Sequence, residues 1–190
     1  MKRRGFISML SVFILTPFVF GQKQSETAPV LTTSSLTQVL NERLTGAERI
    51  MFSLADAMPE EKYPFTPTNG EFKGMRSFAG HLKHVAFSNT VMFSAILGEP
   101  IPTDDGSEDG PAAIKTRAEL LEYLRNSFTL AHRAVGTINE QNATLAIKNP
   151  SAKGGLTTRI GLTINGVAHC FMHYGELLIY MRAAGVLPPD

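Results

Sequence analysis

The sequence predicts an all-α protein, an antiparallel four-helix bundle that follows a cleaved N-terminal signal peptide. Four long segments carry apolar residues at helical spacing, and segments rich in turn-forming residues separate them. No alternating apolar and polar pattern typical of strands competes with the helical pattern. The chain has 190 residues, 43% hydrophobic and 18% charged, which suits one globular domain and argues against disorder.

The N-terminus has the parts of a secretory signal peptide. A basic segment (residues 2–4) precedes an uncharged apolar run (residues 5–20), and small residues suited to cleavage follow. A membrane anchor is the alternative, but this run has only 16 residues and contains a proline, whereas a bilayer span needs roughly 20 residues. We expect residues 1–21 to be a signal peptide, residues 22–33 a linker and residues 34–190 the domain of an exported protein, periplasmic or secreted.

Charge and cysteine content limit the partners of this domain. The formal net charge is +1, and removal of the signal peptide leaves 15 basic against 17 acidic residues. Without a basic surface field, we expect no nucleic-acid partner and no stable membrane insertion after cleavage. Cys170 is the only cysteine, so no disulfide can form within the chain. Stability must come from packing or from a bound metal ion.

The first two helices are bounded by recognisable signals. Thr33, Ser34 and Ser35 are candidate N-caps for a helix over roughly 35–58, and a proline-rich segment follows it. The second helix starts near Ser77 and ends at Gly98, before a polar loop.

The third and fourth helices are defined in the same way. Thr116 and Glu119 have the spacing of a capping box at the start of the third helix. The stretch 139–156 has no regular pattern and is expected to be irregular. The fourth helix begins at Thr157 or Thr158 and runs to about residue 184, where Gly185 is placed to close it.

Four of the five histidines fall on the second and fourth helices. His169 and His173 are four residues apart and lie about 40° apart around the helix axis. His81 and His84 are candidates for a third ligand from the facing helix, since bundle interiors commonly hold metals in this way. Three protein ligands and an open position are typical of catalytic zinc. The alternative is that these are core histidines bonded to backbone carbonyls, at a spacing that arose by chance.

The remaining candidates have simpler interpretations. Cys170 suits a small buried apolar residue better than a ligand or a nucleophile. His132, on the third helix, is expected to have no special role. The acidic loop 104–109 lacks the ligand pattern of a calcium loop and is expected to be solvated.

Several short motifs occur in order on the second and fourth helices. They are RSF at 76–78, HVA at 84–86, His169, HYGE at 173–176, YMR at 180–182 and GVLPP at 185–189. Together they resemble the DinB-like superfamily, the damage-inducible and YfiT-like group of bundle proteins, over about residues 34–190. The resemblance implies one divalent metal ion, zinc or nickel foremost, held by His84, His169 and His173.

The same resemblance makes His81 a supporting group beside the ligands and leaves Cys170 without a role. Asn165 and Glu176 lie near the ligand face of the fourth helix and are further candidates for supporting or substrate-contacting groups. The chain departs from the family at Phe87 and Ser88, where relatives often carry acidic residues. No catalytic residue is assigned.

The function implied by the resemblance is a metal-dependent transferase or hydrolase acting on a small molecule. Characterised relatives include thiol-dependent transferases, in which the metal activates a small thiol, and the same metal could equally activate water. Export argues against a thiol cofactor that is mainly cytoplasmic. The alternatives are a non-catalytic metal- or ligand-binding module related to stress, and a bundle whose histidines are structural remnants. Relatives often form dimers, so a homodimer is also expected by analogy.

Overall fold

Four long α-helices account for most of the residues that the computed structural model describes, namely 34–103, 108–150 and 154–189. They are α1 (Leu36–Ala57), α2 (Phe78–Leu97), α3 (Arg117–Val135) and α4 (Arg159–Ala183). A short 3₁₀ helix, Glu60–Lys62, follows α1. The predicted signal peptide and linker lie outside the described residues.

Helix boundaries agree with the local signals in the sequence. The Ser35 side chain accepts from the Gln38 backbone N–H and the Gln38 side chain accepts from the Ser35 N–H, which completes a capping box at the start of α1. The capping box predicted at Thr116 and Glu119 is confirmed at the start of α3.

Gly185 has a φ of 71° just after α4. There the Val186 N–H reaches the Met181 carbonyl, which is the closure expected of a glycine at this position.

The four helices share one apolar core. Helices α1 and α2 each pack against α3 and α4. The fully buried large side chains come from all four helices and include Leu44, Met51, Leu54, Phe78, Leu82, Phe93, Leu124, Phe128, Tyr180 and Met181. Because α2 and α4 are packed partners, their inward-facing residues meet across the core.

The expectation of an irregular segment over 139–156 was wrong at residues 146–148 and at residue 156. Strand β1 (Ala146–Lys148) pairs antiparallel with β2 (Leu156–Thr158), with Ile147 opposite Thr157. Strands of three residues are too short to show an alternating pattern, so their backbone pairing left no signal in the sequence. The hairpin leads directly into α4, where the Thr158 side chain accepts from the Gly161 backbone N–H as the N-cap.

Within the described residues, none of the helices has both the length and the apolar character needed to cross a membrane.

Candidate metal centre

Helices α2 and α4 bring four histidines together. His81 and His84 lie one turn apart on α2, and His169 and His173 lie one turn apart on α4. His81, His84 and His173 are buried, whereas His169 is partly exposed. A group of buried imidazoles is costly unless their nitrogens find partners. The arrangement of those nitrogens therefore decides what the cluster can do.

The Nε2 atoms of three histidines converge on one point. His169 Nε2 lies 3.2 Å from His84 Nε2 and 3.2 Å from His173 Nε2. The ligand atoms of the three residues all lie within 4.8 Å of one another. A tetrahedral zinc ion with Zn–N bonds of about 2.0–2.1 Å places its nitrogens about 3.3 Å apart. The three residues predicted as ligands therefore have a spacing that suits a metal ion.

Hydrogen bonds at the opposite ring nitrogens orient two of these imidazoles. His84 Nδ1 lies 2.7 Å from the backbone carbonyl oxygen of Glu108, which can only accept, so His84 Nδ1 is the donor. His173 Nδ1 lies 2.6 Å from Glu176 Oε2 and donates to that carboxylate. In a neutral imidazole the other nitrogen then carries a lone pair. His84 and His173 therefore both present Nε2 as an acceptor.

This donor set fits a cation better than it fits a hydrogen-bonded core. His169 Nε2 faces two acceptor nitrogens, and one N–H cannot be directed at both. At the other side of its ring, His169 Nδ1 is buried and has no hydrogen-bond partner among the described residues. Metal-binding histidines usually donate their second nitrogen to a carbonyl or a carboxylate. His84 and His173 have that arrangement.

A second group overlaps the first through His173. His81 Nδ1 lies 3.1 Å from His173 Nδ1 and 3.3 Å from Glu176 Oε2, and these three residues could also surround a cation. The 2.6 Å contact between His173 Nδ1 and Glu176 is instead the length of a strong hydrogen bond to a charged acceptor. We therefore interpret Glu176 and His81 as support for His173, on the side of its ring that faces away from the Nε2 group.

Burial favours the neutral form of His81, His169 and His173. Burial, with smaller contributions from His173, His84 and Arg76, lowers the pKa of His169 to about 3. Burial is also the largest cause that lowers the pKa of His173 to about 3. The pKa of His81 is lowered by burial as well, although the Glu176 carboxylate acts in the opposite direction. Neutral imidazoles are the form that binds metal ions.

The Glu108 carbonyl is a contributor that the sequence did not reveal. The acidic loop was expected to be solvated, yet its end is tied to α2. Arg76 Nε lies 2.6 Å from the Asp109 carboxylate, and Glu108, the residue before it, accepts from His84. A backbone carbonyl can belong to any residue type, so no motif could indicate it. The opposite charges of Arg76 and the acidic loop were the only signal in the sequence that the loop lies near the start of α2.

The other two residues considered on α4 lie apart from the three Nε2 atoms, Asn165 at the surface and Cys170 in the core. Asn165 is exposed on α4, one turn before His169. Among the described residues, no hydrogen bond joins it to His84, His169 or His173. Cys170 is fully buried; its thiol lies 3.7 Å from Asn89 Oδ1, and burial raises its pKa to about 12. This agrees with the expectation of a small buried residue.

A cleft of about 510 Å³ lies beside the histidine group. His169 lines it from α4, together with Asn165, and Glu108 lines it from the loop. His169 and Glu108 therefore belong both to the cleft and to the surroundings of the three Nε2 atoms. Such a cleft offers a small molecule a way to reach the group.

The fold and the site define a mostly helical protein with a candidate three-histidine metal centre. The comparison with protein families extends this description, because the model of the DinB superfamily matches residues 43–177. The chain belongs to the DinB superfamily. No curated protein sequence matches it.

Solved structures of bacterial proteins share the fold. A conserved protein from Enterococcus faecalis is similar with a TM-score of 0.63 at 16% identity, over 80% of this chain and 98% of that one. A DinB-like protein from Bacillus cereus has a TM-score of 0.61 at 14% identity, over 80% and 95% of the two chains. An uncharacterised protein from Escherichia coli UTI89 has a TM-score of 0.58 at 10% identity, over 81% and 97%. At these identities the similarity concerns the fold.

Proposed function

We propose that this protein is an exported, metal-dependent enzyme of the transferase or hydrolase type, with His84, His169 and His173 as the ligands of one divalent ion. The observation that carries the proposal is the convergence of three Nε2 atoms, with His169 Nε2 at 3.2 Å from each of the other two. Zinc and nickel are the proposed ions, because both bind imidazole nitrogens well.

Each residue near the ion has a proposed part in this function. The Glu108 carbonyl and the Glu176 carboxylate hold the rings of His84 and His173 so that their Nε2 lone pairs face inward. His81 lies beside Glu176 and keeps the carboxylate near His173. When bound, the ion would act as a Lewis acid toward a small molecule at its open position.

The cleft favours a catalytic function over a closed, non-catalytic metal module. A structural metal site usually has four protein ligands and no access, whereas a catalytic site keeps one position open. Here three histidines form the group, and the cleft of about 510 Å³ shares His169 with it. A small-molecule substrate is therefore proposed, with no nucleic-acid partner. Asn165, on the wall of the same cleft, is proposed as a substrate contact.

The relative direction of the helices and the cellular location of the protein are also part of the proposal. We propose an antiparallel arrangement of the four helices, which is a common arrangement for a bundle of four helices around one core. Residues 1–21 are proposed as a cleaved signal peptide, on the basis of their basic and apolar segments. Separate detection of the protein in the culture medium, the periplasm and the cytoplasm would test export.

A homodimer is also proposed, with the outer face of α4 as its interface. Ile164, Phe171, Met172 and Ile179 are 47–58% exposed, and they lie within about 100° of arc around the helix. Exposed apolar groups of this kind commonly mark an interface. Sedimentation of the wild type and of a Phe171→Glu, Ile179→Glu variant tests the proposal. A monomeric wild type would contradict it.

Metal analysis tests the proposed site. Purified wild-type protein and a His169→Ala, His173→Ala variant are incubated with zinc, nickel or iron, desalted and analysed for bound metal. We expect about one ion per wild-type chain and little in the variant, since two of three ligands are missing. The proposal fails if the wild type retains no more metal than the variant. A His132→Ala variant is the matched control, because it removes a histidine outside the group.

A further inference from the structure

We infer that the cleft beside the metal site binds an uncharged, largely apolar small molecule and discriminates against anionic ones. This inference rests on the proposed function, since it concerns the substrate of the same site. The shape of the cleft, the residues of its walls and their charges carry it.

The walls of the cleft are mainly apolar. Helix α2 contributes a continuous face, the segment after α2 adds a second wall, and α4 adds a third. The apolar side chains that the argument uses are Phe87, Val91, Met92, Ile101 and Leu162. Burial of apolar surface on these walls stabilises a bound molecule by roughly 25 cal/mol per Å².

The charged residues of the walls disfavour an anion. Among the described residues that line the cleft, none is lysine or arginine, and Glu108 is the one acidic residue. Away from the metal ion, an anionic group would lose hydration against the apolar walls and would meet no cationic side chain among the described lining residues. Ser88, Thr103 and Asn165 provide hydroxyl and amide groups, which suit the uncharged polar parts of a substrate.

The position of the cleft connects these preferences to the metal site. His169 lines the cleft and is the one histidine of the group that is partly exposed. A molecule in the cleft can therefore place a polar head near the three Nε2 atoms while its apolar part contacts Val91 and Leu162. A volume of about 510 Å³ is within the range of small-molecule sites, roughly 300–1,000 Å³.

A matched pair of metal-binding probes tests the inference. Hexanohydroxamic acid and adipic monohydroxamic acid have the same metal-binding head and the same chain of six carbons, but the second ends in a carboxylate. Binding of each to the cobalt(II)-loaded protein is measured by calorimetry and by the change in the visible spectrum of cobalt. We expect the uncharged chain to bind at least about tenfold more tightly, since the carboxylate must be desolvated without a partner.

One substitution in the cleft and one outside it complete the experiment. Val91→Lys places a cation in the apolar wall and should reduce or reverse the preference while leaving the amount of bound cobalt unchanged. Val39→Lys, the same substitution at an exposed position of α1 outside the cleft, should leave the preference as it is in the wild type. A Val91→Lys protein that keeps the wild-type preference would overturn the inference.

The outcomes separate the inference from the proposed function. If the wild type does not bind cobalt, the proposed metal site fails and the inference fails with it. If cobalt binds but the two hydroxamates bind equally, or the anionic one binds more tightly, only the inference about the substrate is overturned.

Discussion

His132 and the four clustered histidines show how different surroundings give one residue type two roles. His132 Nδ1 lies 2.6 Å from Asn41 Oδ1 and its Nε2 lies 3.0 Å from Glu48 Oε2, so both ring nitrogens have oxygen partners. Those contacts connect α3 to α1. In the cluster between α2 and α4, by contrast, the Nε2 atoms of His84, His169 and His173 face one another.

The partners of a histidine therefore indicate its role better than its burial does. A histidine whose nitrogens both contact oxygens has its hydrogen bonds satisfied and serves as a structural link. Histidines whose nitrogens face other nitrogens lack donors for their lone pairs, and a bound cation could supply the missing partner. Four measurements test this contrast between His132 and the clustered histidines.

The largest effect is expected from His173→Ala. His173 provides Nε2 to the proposed metal site and also holds Glu176 on its other side. Its removal takes away one of three ligands, so metal affinity should fall by at least about 100-fold, more than loss of a supporting residue costs. Competition with a chromophoric chelator measures the affinity. An affinity within a few-fold of the wild type would contradict the three-histidine site.

A smaller effect is expected from Glu176→Gln. The amide oxygen can still accept from His173 Nδ1 but lacks the charge that makes the imidazole a stronger ligand, so metal affinity should fall by about tenfold. Glu48→Gln is the matched control, because the Glu48 carboxylate contacts a ring nitrogen of His132 just as the Glu176 carboxylate contacts one of His173. The contrast between the two regions would break if both variants bound metal as the wild type does.

The metal-free protein should lose stability as the pH falls. The pKa values of His169 and His173 are lowered to about 3 in the folded chain, whereas an unfolded histidine has a pKa of about 6.5. The unfolded state therefore binds more protons between these values, and the stabilisation present above about pH 6.5 is lost as the pH falls toward 3. We expect the free energy of unfolding to fall by on the order of 1 kcal/mol from pH 7 to pH 5, because solvent screens the part-exposed His169.

Urea unfolding of the chelated protein at the two pH values measures this loss. The His169→Ala, His173→Ala variant should show a smaller decrease, since it lacks both titrating groups. An equal decrease in the two proteins would assign the pH dependence to other residues.

The smallest effect is expected from His132→Ala. The variant loses the hydrogen bonds to Asn41 and Glu48, and at a site near the surface this should cost about 1 kcal/mol of unfolding free energy. Urea unfolding measures it with and without metal, and the cost should be the same in both conditions. A larger cost in the metal-loaded protein would link His132 to the metal site.

Much of the fold could be predicted because its signals are local. The capping box at Thr116, the glycine after α4 and the spacing of apolar residues each act within one or two turns of chain. The β1–β2 hairpin was not predicted because its three-residue strands form through pairing with each other and are too short to show an alternating pattern. The motifs on α2 and α4 also identified the family that the comparison confirmed.

By itself, the sequence determined the number and bounds of the helices and the one-turn spacing of each histidine pair. Only the tertiary structure decided which nitrogens converge, that the Glu108 carbonyl orients His84, and that the Glu176 carboxylate contacts both His81 and His173. The physical reason is range: helix formation depends on neighbours within a few residues, whereas the meeting of His84 and His169 depends on how α2 packs against α4 across 85 residues of chain.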